Sequence, residues 1–341
     1  MTSSSTAPTA PTALFALDGS NLPFLFPADV AAALADLVDI DQDHAVTDFA
    51  DAGVLPRLPD VEILITGWGC PLITPSVLDT LPRLRAILHT GGTVKKLLTP
   101  EVWERGIAVS TAAAANALPV AEYTLGMILL LGKDVFAARE DFRTSRTFAP
   151  QAPGADIGNA GRRVGIIGAS RTGRRVIELL RPFDFDVLLH DPYVGAAEAE
   201  ALGVRAAGLD ELLAASSLVS VHAPATAETH HLLDAARLAL LPDGAALINT
   251  ARGSLVDTDA LVKELVTGRI RAVLDVTEPE PLPADSALYR LPNVFLTPHV
   301  AGSMGNELRR LGLTAVREVE RLLAGRPLAH RVEHAQLART A

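Results

Sequence analysis

Apolar and β-branched residues occur along the chain in short runs that alternate with stretches of helical periodicity. From about residue 60 most of these runs end in small or polar residues, and a helical stretch follows. Such runs are typical of strands buried on both faces of a parallel sheet, and their alternation with helices predicts right-handed βαβ crossovers. Buried strands are expected at 61–67, 85–92, 106–111, 163–168, 186–191, 218–223, 245–251, 271–276 and 293–298.

Helical spacing is most extended in two segments. Residues 116–143 predict a single helix long enough to pass from one domain to another, and residues 305–325 predict an amphipathic helix closed by a glycine. Shorter helices are expected at 74–81, 99–106, 172–183 and 258–268. The two alternating series indicate two α/β units, of which the second is larger.

Composition and charge exclude several classes of protein. Of 341 residues, 49% are hydrophobic and 21% are charged, which favours a large core over disorder. The net charge of −10 argues against a nucleic-acid partner. The single cysteine, Cys70, rules out an intrachain disulfide and a cysteine-rich metal site, so no metal is expected and a cytoplasmic location is favoured.

The start of the chain lacks the charged beginning and apolar stretch of a signal peptide. Residues 1–12 are rich in Ser, Thr, Pro and Ala and predict a disordered tail. The apolar run at 125–132 falls far short of the ~20 residues that a membrane span needs, so no membrane partner is expected.

The segment "VGIIGASRTG" begins like a dinucleotide-binding loop and then departs from the pattern. Gly168 can make the tight turn after the strand, and Gly173 can pack closely against it, but Ser170 stands where a glycine usually leaves room for the pyrophosphate. The loop alone is therefore equally consistent with an ordinary strand-to-helix turn.

An acidic residue at the end of the next strand favours the nucleotide interpretation. Asp191 lies 23 residues after Gly168, where a carboxylate can accept hydrogen bonds from ribose hydroxyls. It would repel a 2′-phosphate, which predicts NAD(H) rather than NADP(H). Because Pro192 follows, a simple turn or helix cap is the alternative role of Asp191.

Three further polar residues lie at or beyond the ends of predicted strands: Arg252, Glu280 and His299. Taken singly, each has an ordinary explanation as a surface ion pair, a solvated carboxylate or a structural hydrogen-bonding histidine. Together, after a nucleotide-binding unit, they suit the reduction of a carbonyl beside a carboxylate. Arginine grips a carboxylate with two bonds, histidine exchanges a proton near neutral pH, and a buried glutamate in contact with it would favour the imidazolium.

The motifs around these residues resemble those of the D-isomer-specific 2-hydroxyacid dehydrogenases. "NTARG" (249–253), "LDV…EPEPL" (274–282) and "TPHVAGS" (297–303) match the family's Arg, Glu and His motifs in order and spacing. Residues 116–131 resemble its interdomain helix, and 220–233 resemble its segment along the cofactor cleft. The resemblance runs from roughly residue 60 to residue 325.

The resemblance implies an α/β architecture of two Rossmann-like, doubly wound parallel-sheet domains. The substrate domain would comprise residues 13–117 and 300–341, and the NAD-binding domain, residues 118–299, would be inserted into it. Family members are commonly homodimers, so a homodimer is expected.

The resemblance also implies a role for particular residues. His299 would be the acid/base, Glu280 its partner, and Arg252 the ligand of the substrate carboxylate or carbonyl. Gly91, Gly92 and Arg252 would bind substrate. The implied NAD contacts are Gly168, Ser170, Arg171, Thr172, Gly173, Asp191, Pro192, His222, Ala223, Pro224, Thr229, Thr250, Ala251, Arg252, Asp275 and His299.

The function that the resemblance implies is NAD-dependent interconversion of a 2-keto acid and a D-2-hydroxy acid by hydride transfer. Two alternatives remain at this stage. Formate dehydrogenases share the fold but pair the histidine with a glutamine, and Glu280 speaks against them. A non-catalytic NAD(H)-binding corepressor could keep the same three residues.

Overall fold

A computed structural model of the chain describes residues 10–148 and 157–337. These residues form two compact units, one from residues 10–116 and 303–337 and the other within residues 117–302. Residues 1–9 of the predicted disordered tail lie outside the described residues. Thr12, which was also assigned to that tail, instead begins a strand, because it pairs in parallel with Val61.

All strands in the described part of the chain belong to one of two parallel sheets. They are β1 Thr12–Ala16, β2 Ala45–Val46, β3 Val61–Thr66, β4 Ala86–His89, β5 Ala108–Thr111, β6 Arg162–Ile167, β7 Phe185–His190, β8 Arg205–Ala206, β9 Leu218–Val221, β10 Ala246–Asn249, β11 Arg271–Leu274 and β12 Val294–Leu296.

Helices cover both faces of the sheets. They are α1 Leu22–Leu25, α2 Ala28–Ala35, α3 Pro75–Asp79, α4 Glu101–Glu104, α5 Ala113–Gly132, α6 Val135–Ser145, α7 Arg171–Leu180, α8 Ala196–Leu202, α9 Leu209–Ala215, α10 Ala235–Leu238, α11 Thr258–Val266, α12 Leu308–Leu323 and α13 His334–Leu337. Short 3₁₀ turns lie at Gly19–Asn21, Leu55–Asp60, Gly253–Leu255, Ala287–Tyr289 and Gly305–Glu307.

The first unit contains a five-stranded sheet in the order β2-β1-β3-β4-β5. On one face, Val30 and Leu34 of α2 pack in the same apolar cluster as Leu311 of α12. On the other face, Leu78 of α3 and Val102 of α4 belong to a second cluster. The strands read as nearly continuous apolar runs because both faces are covered.

The second unit contains a seven-stranded sheet in the order β12-β11-β10-β9-β6-β7-β8. Ile128 of α5 and Val176 of α7 cover one face, and Leu212 of α9 and Leu261 of α11 cover the other. The strand order reverses beside β6, between β9 and β7, which is where doubly wound sheets bind their ligands. The expected architecture of two Rossmann-like α/β domains is confirmed.

The helix expected over 116–143 is divided into two, which corrects the sequence prediction. Asp134, at the break, has a left-handed backbone with φ of 54°, and its carboxylate binds the Arg271 guanidinium at 2.5 Å. A left-handed residue interrupts the helical hydrogen bonds, so α5 ends at Gly132 and a separate helix, α6, begins at Val135.

The uninterrupted part, α5, is 20 residues long and apolar enough to cross a membrane by length and composition alone. The core helix of a soluble protein passes the same test. Ala121 and Ile128 of α5 are fully buried against the second sheet.

Candidate active site

The carboxyl ends of the parallel strands in the second unit lie along one edge of its sheet. The loops after β6, β7, β9, β10, β11 and β12 all leave from this edge. Most of the site residues expected from the sequence are in these six loops, and the sheet therefore brings them to one side of the unit.

His299 and Glu280 are in direct contact. The Nδ1 atom of His299 lies 2.7 Å from Oε1 of Glu280, and their side chains are 51% and 45% exposed. The expected partnership is thus present in the geometry, although Glu280 is half exposed rather than buried. With Nδ1 turned to the carboxylate, Nε2 is the ring nitrogen left for another partner.

The turn that carries His299 is held by the buried carboxylate of Asp275. Its Oδ1 accepts hydrogen bonds from the Thr297 hydroxyl (2.6 Å) and the Val300 amide (2.8 Å), and its Oδ2 accepts one from the Ala301 amide (2.9 Å). The amide of His299 donates to the Asp275 carbonyl at 3.0 Å. These bonds stabilise the left-handed backbone of His299, with φ of 56°, which a non-glycine residue adopts only at a cost.

Arg252 lies just beyond β10 in an extended conformation. Its Nη1 donates to the Ala251 carbonyl at 2.6 Å, which leaves the other guanidinium donors for further partners. Burial lowers the pKa of Arg252 from its ordinary value, and the charge of Glu280 acts in the opposite direction. Arg252 and Glu280 therefore lie within electrostatic reach of each other.

The loop carrying Glu280 packs directly on the turn after Arg252. A Cβ atom at Gly253 would lie 2.0 Å from the Thr277 carbonyl oxygen, so only glycine allows this approach. The absence of a side chain at Gly253 thus brings Arg252 and the Glu280 loop together.

Sequence reasoning missed two residues that support this arrangement. Asn249 donates from Nδ2 to the Arg252 carbonyl (2.8 Å) and accepts from the Ala251 amide (3.1 Å), which fixes the turn that presents Arg252. The Tyr123 hydroxyl lies 2.8 Å from that of Thr297. Asn249 ends a buried strand, which is a signal that the sequence carries, whereas the sequence pattern carries none for Tyr123.

The loop after β6 has the geometry of a compact strand-to-helix turn. Gly168 has φ of 98°, and a Cβ atom on Gly173 would lie 2.0 Å from the Gly168 carbonyl oxygen. Ser170 is the N-cap of α7, where its Oγ accepts from the Gly173 amide at 3.3 Å. Its own hydroxyl hydrogen is not used in that bond, and so remains available to a phosphate oxygen.

Arg171 and Thr172 form the first turn of α7, where a helix leaves backbone N–H groups without intrahelical partners. Such amides and the helix dipole favour a phosphate. The residues present therefore fit the pyrophosphate of a dinucleotide.

Asp191 supports the loop as well as facing the edge of the sheet. Its Oδ2 accepts from the Ala169 amide at 2.7 Å, and its Oδ1 accepts from the Tyr193 amide at 2.8 Å. Asp191 therefore does act as a turn residue, which was the alternative role considered for it, and Pro192 within the turn is exposed. Each carboxylate oxygen has further acceptor capacity for a ribose hydroxyl.

The remaining cofactor candidates line the same edge. His222 is buried beside the loop, its amide donating to the Ile167 carbonyl at 2.7 Å, and burial lowers its pKa to about 3. Its Nε2 lies 2.8 Å from the Ser220 hydroxyl. Ala223 packs on Gly168, Thr229 donates to the Pro224 carbonyl at 2.6 Å, and the hydroxyl of buried Thr250 lies 3.1 Å from that of Thr124.

The expected substrate loop belongs to the first unit. A Cβ atom at Gly91 would lie 2.5 Å from Nε2 of His89, and one at Gly92 would lie 3.7 Å from Nδ2 of Asn116. His89 is buried with Nδ1 at 2.9 Å from the Thr66 hydroxyl, and burial lowers its pKa to about 4. Gly91 and Gly92 thus lie at the carboxyl end of β4, and Gly91 lies against the neutral imidazole of His89.

Comparison with known proteins identifies the family. A family model described as "D-isomer specific 2-hydroxyacid dehydrogenase, NAD binding domain" matches residues 125–301. The chain belongs to this family. The match confirms the resemblance inferred from the sequence motifs and the expected nicotinamide dinucleotide cofactor.

Relatives within the family differ in their named substrates. A glyoxylate reductase of Thermofilum pendens is 35% identical over 259 residues, which cover 74% of this chain and 76% of that protein. A D-3-phosphoglycerate dehydrogenase of Mycobacterium tuberculosis is 31% identical over 317 residues, or 89% of this chain. The chain spans only 58% of the length of that relative.

A solved structure shows the same fold over nearly the whole chain. A phosphoglycerate oxidoreductase from Rhizobium etli superposes with a TM-score of 0.79 at 28% identity, covering 95% of this chain and 99% of that one. The two-domain α/β fold is therefore shared, while the substrate differs among members of the family.

Proposed function

We propose that the protein is an NAD(H)-dependent oxidoreductase that interconverts a 2-keto acid and a D-2-hydroxy acid. The observation that carries the proposal is the 2.7 Å contact between His299 Nδ1 and Glu280 Oε1. This pair lies on the same sheet edge as Arg252 and the loop after β6, in a chain that matches the family's NAD-binding domain.

His299 is the proposed acid/base. Because Nδ1 faces Glu280, Nε2 gives a proton to the keto oxygen during reduction and removes it from the hydroxyl during oxidation. Glu280 fixes the orientation of the ring through its contact with Nδ1. The bound nicotinamide supplies or accepts the hydride at the substrate carbon.

Arg252 is the proposed ligand of the substrate carboxylate and carbonyl. Arginine stays protonated despite the lowering of its pKa by burial, and its planar fork can hold two oxygens at once. The backbone amides of Gly91 and Gly92, in the first unit, are proposed as further substrate ligands. A 2-keto acid presents both the carboxylate and the adjacent carbonyl oxygen that this set requires.

The cofactor is proposed to be NAD(H) rather than NADP(H). Asp191 carries a negative charge where the adenine-side ribose would lie, and the next two residues, Pro192 and Tyr193, offer no cation to a 2′-phosphate. The amides of Arg171 and Thr172 and the hydroxyl of Ser170 are proposed to bind the pyrophosphate. Asp275, besides holding the His299 turn, keeps acceptor capacity on Oδ2 for the nicotinamide carboxamide.

We also propose that the protein acts as a homodimer in the cytoplasm. The single cysteine fits a reducing compartment. None of the residues of α6 is buried, and Phe142 on this helix is 60% exposed. A second copy covering α6 would remove this aromatic surface from water.

The direct test is NADH oxidation by the purified protein with a panel of 2-keto acids that includes glyoxylate, hydroxypyruvate and pyruvate. For the best substrate, His299→Asn is expected to lower kcat/KM by at least ~10²-fold, the scale of a lost general acid. Asparagine is chosen because it tolerates the left-handed backbone at this position. NADH affinity, measured by fluorescence, should stay close to that of the parent.

The matched control is His44→Gln, which removes an exposed histidine from the first unit and should leave turnover unchanged. The proposal fails if no 2-keto acid supports NADH oxidation. It also fails if His299→Asn retains the parent's rate.

A further inference from the structure

Two loops of the second unit bring together three potential metal ligands, His230, His231 and Glu278. The histidines follow β9, and the glutamate follows β11. Nε2 of His231 lies 3.3 Å from Oε2 of Glu278, and Nε2 of His230 lies 3.7 Å from the same oxygen. One ligand atom from each of the three residues lies within 4.8 Å of the other two.

The local backbone explains why two adjacent histidines point the same way. In an extended chain, successive side chains project to opposite sides. His231 instead has a left-handed backbone with φ of 50°, and its amide is held by the Ser254 carbonyl at 2.7 Å. Its ring consequently stacks on that of His230, with centroids 3.9 Å apart and an interplanar angle of 24°.

The segment 253–258 fixes both sides of the cluster. On the histidine side, the Ser254 carbonyl accepts a hydrogen bond from the His231 amide, and Val256 forms a parallel β-bridge with Leu233. On the glutamate side, the Thr258 hydroxyl donates to the Glu278 carbonyl at 2.7 Å. The three ligands are therefore held close to one another by contacts with segment 253–258 that do not depend on an ion.

We propose that His230, His231 and Glu278 form a binding site for a divalent transition-metal ion of the Zn²⁺ class. Bond lengths of about 2.0–2.1 Å in a tetrahedron place ligand atoms about 3.3–3.4 Å apart. The separations of 3.3 and 3.7 Å from Glu278 to the two histidines are close to this spacing. Because the stacked rings aim their Nε2 lone pairs in nearly parallel directions, one imidazole must turn about its side-chain bonds before both nitrogens face the same ion.

The ligand types select the class of ion. Imidazole nitrogen suits Zn²⁺, Cu²⁺ and Ni²⁺, whereas Mg²⁺ and Ca²⁺ prefer oxygen-only sites. The three side chains are 39–54% exposed, so the fourth position of the tetrahedron is open to water. A bound ion would tie the loop after β9 to the loop that also carries Glu280, two residues beyond Glu278.

The site is tested by titrating ZnCl₂ into tag-free protein that has been treated with EDTA and desalted. Calorimetry is expected to show one ion bound per chain, with a Kd at or below about 10 µM near neutral pH. His231→Asn keeps a residue that tolerates the left-handed backbone, and Glu278→Gln keeps the shape of the side chain. Each should weaken binding by at least ~10-fold.

His44→Gln is again the control and should bind Zn²⁺ as the parent does. Zn²⁺ should raise the unfolding temperature of the parent and of this control, but not that of the two cluster variants. Circular dichroism without metal verifies that the variants are folded, and His230→Gln provides a third substitution at the most exposed ligand. The proposal is overturned if the parent shows no saturable binding of Zn²⁺. It is also overturned if His231→Asn and Glu278→Gln bind Zn²⁺ with the same affinity as the parent. Neither outcome bears on the proposed dehydrogenase activity.

Discussion

The chemistry of individual side chains explains why some site residues were predictable and others were not. Arg252, Glu280 and His299 could be selected because reactive residue types lie in the segments that follow buried strands, and parallel strands bring such segments to one edge. The pairing of His231 with Glu278, 47 residues apart, had no such signal. It depends on one left-handed residue and on contacts with segment 253–258, which apolar periodicity does not encode.

Buried histidines are the residues through which acid should destabilise the fold. Burial lowers the pKa of His89 to about 4, against about 6.5 in an unfolded chain. Between these values the unfolded chain binds a proton that the folded chain excludes, so the free energy of unfolding falls as the pH falls through this window. Above about pH 6.5, His89 no longer makes the free energy of unfolding depend on pH.

His89→Gln should therefore flatten the acid limb of the stability curve. Between about pH 7.5 and pH 5, we expect the parent to lose about 2 kcal/mol more stability than His89→Gln, as measured by urea unfolding at both pH values. The pH dependence is compared, because the lost bond to Thr66 also changes stability at neutral pH. His44→Gln controls for the removal of a histidine as such. Parallel acid limbs for the parent and His89→Gln would show that His89 becomes protonated without unfolding.

At the scale of elements, the buried strands of the sequence prediction match the structure closely. The run expected at 163–168 is β6, and the run expected at 186–191 is β7, each displaced by one residue. Continuous β-branched runs mark these strands because both faces of a parallel sheet are covered. β2 and β8, of two residues each, are too short to create a pattern. The break between α5 and α6 was missed because its cause is the conformation of Asp134.

The contact between β6 and α7 should be sensitive to a single methyl group. In Gly173→Ala the new Cβ atom would lie 2.0 Å from the Gly168 carbonyl oxygen, so α7 must move away from the loop. We expect a loss of about 1–3 kcal/mol in the free energy of unfolding. Weaker NADH binding should accompany it, since the amides of Arg171 and Thr172 would shift with the helix. Denaturant unfolding and NADH fluorescence titration measure the two effects.

A second glycine-to-alanine change in the same unit provides a control, because it is expected to raise the free energy of unfolding instead of lowering it. Gly126 lies inside α5, and no atom lies within 4 Å of a Cβ atom placed there. Gly126→Ala should raise stability by about 0.5–1 kcal/mol, because alanine is the better helix former. If Gly173→Ala were as stable as the parent, the close packing of α7 on the loop would be incorrect.

At the scale of the whole molecule, the sequence predicts two α/β units, and the structure divides the described residues into one unit of 10–116 with 303–337 and another of 117–302. That the first unit binds the substrate remains a proposal. That the second unit binds NAD(H) is supported by the family model, which matches residues 125–301. The homodimer is expected only from the family resemblance. Exposed aromatic residues such as those on α6 follow no periodic pattern, so the sequence alone does not mark them as an interface.

The exposed surface of α6 makes the assembly testable. Among the described residues, Phe142 and Phe148 are 60% and 87% exposed, whereas Phe136 at the start of α6 stacks on Phe295. In the proposed homodimer this surface faces a second copy, so a charge placed there must be desolvated and should prevent association. Light scattering on a sizing column should give the mass of two chains for the parent and of one chain for Phe142→Glu.

Phe24→Glu is the matched control, because Phe24 is 56% exposed and lies on α1 in the first unit. This variant should keep the mass of two chains, since its charge remains in water whether or not α6 is covered. A parent that elutes as a single chain would rule out the homodimer. A Phe142→Glu protein that retains the parent's mass would show instead that the copies associate through a surface other than α6.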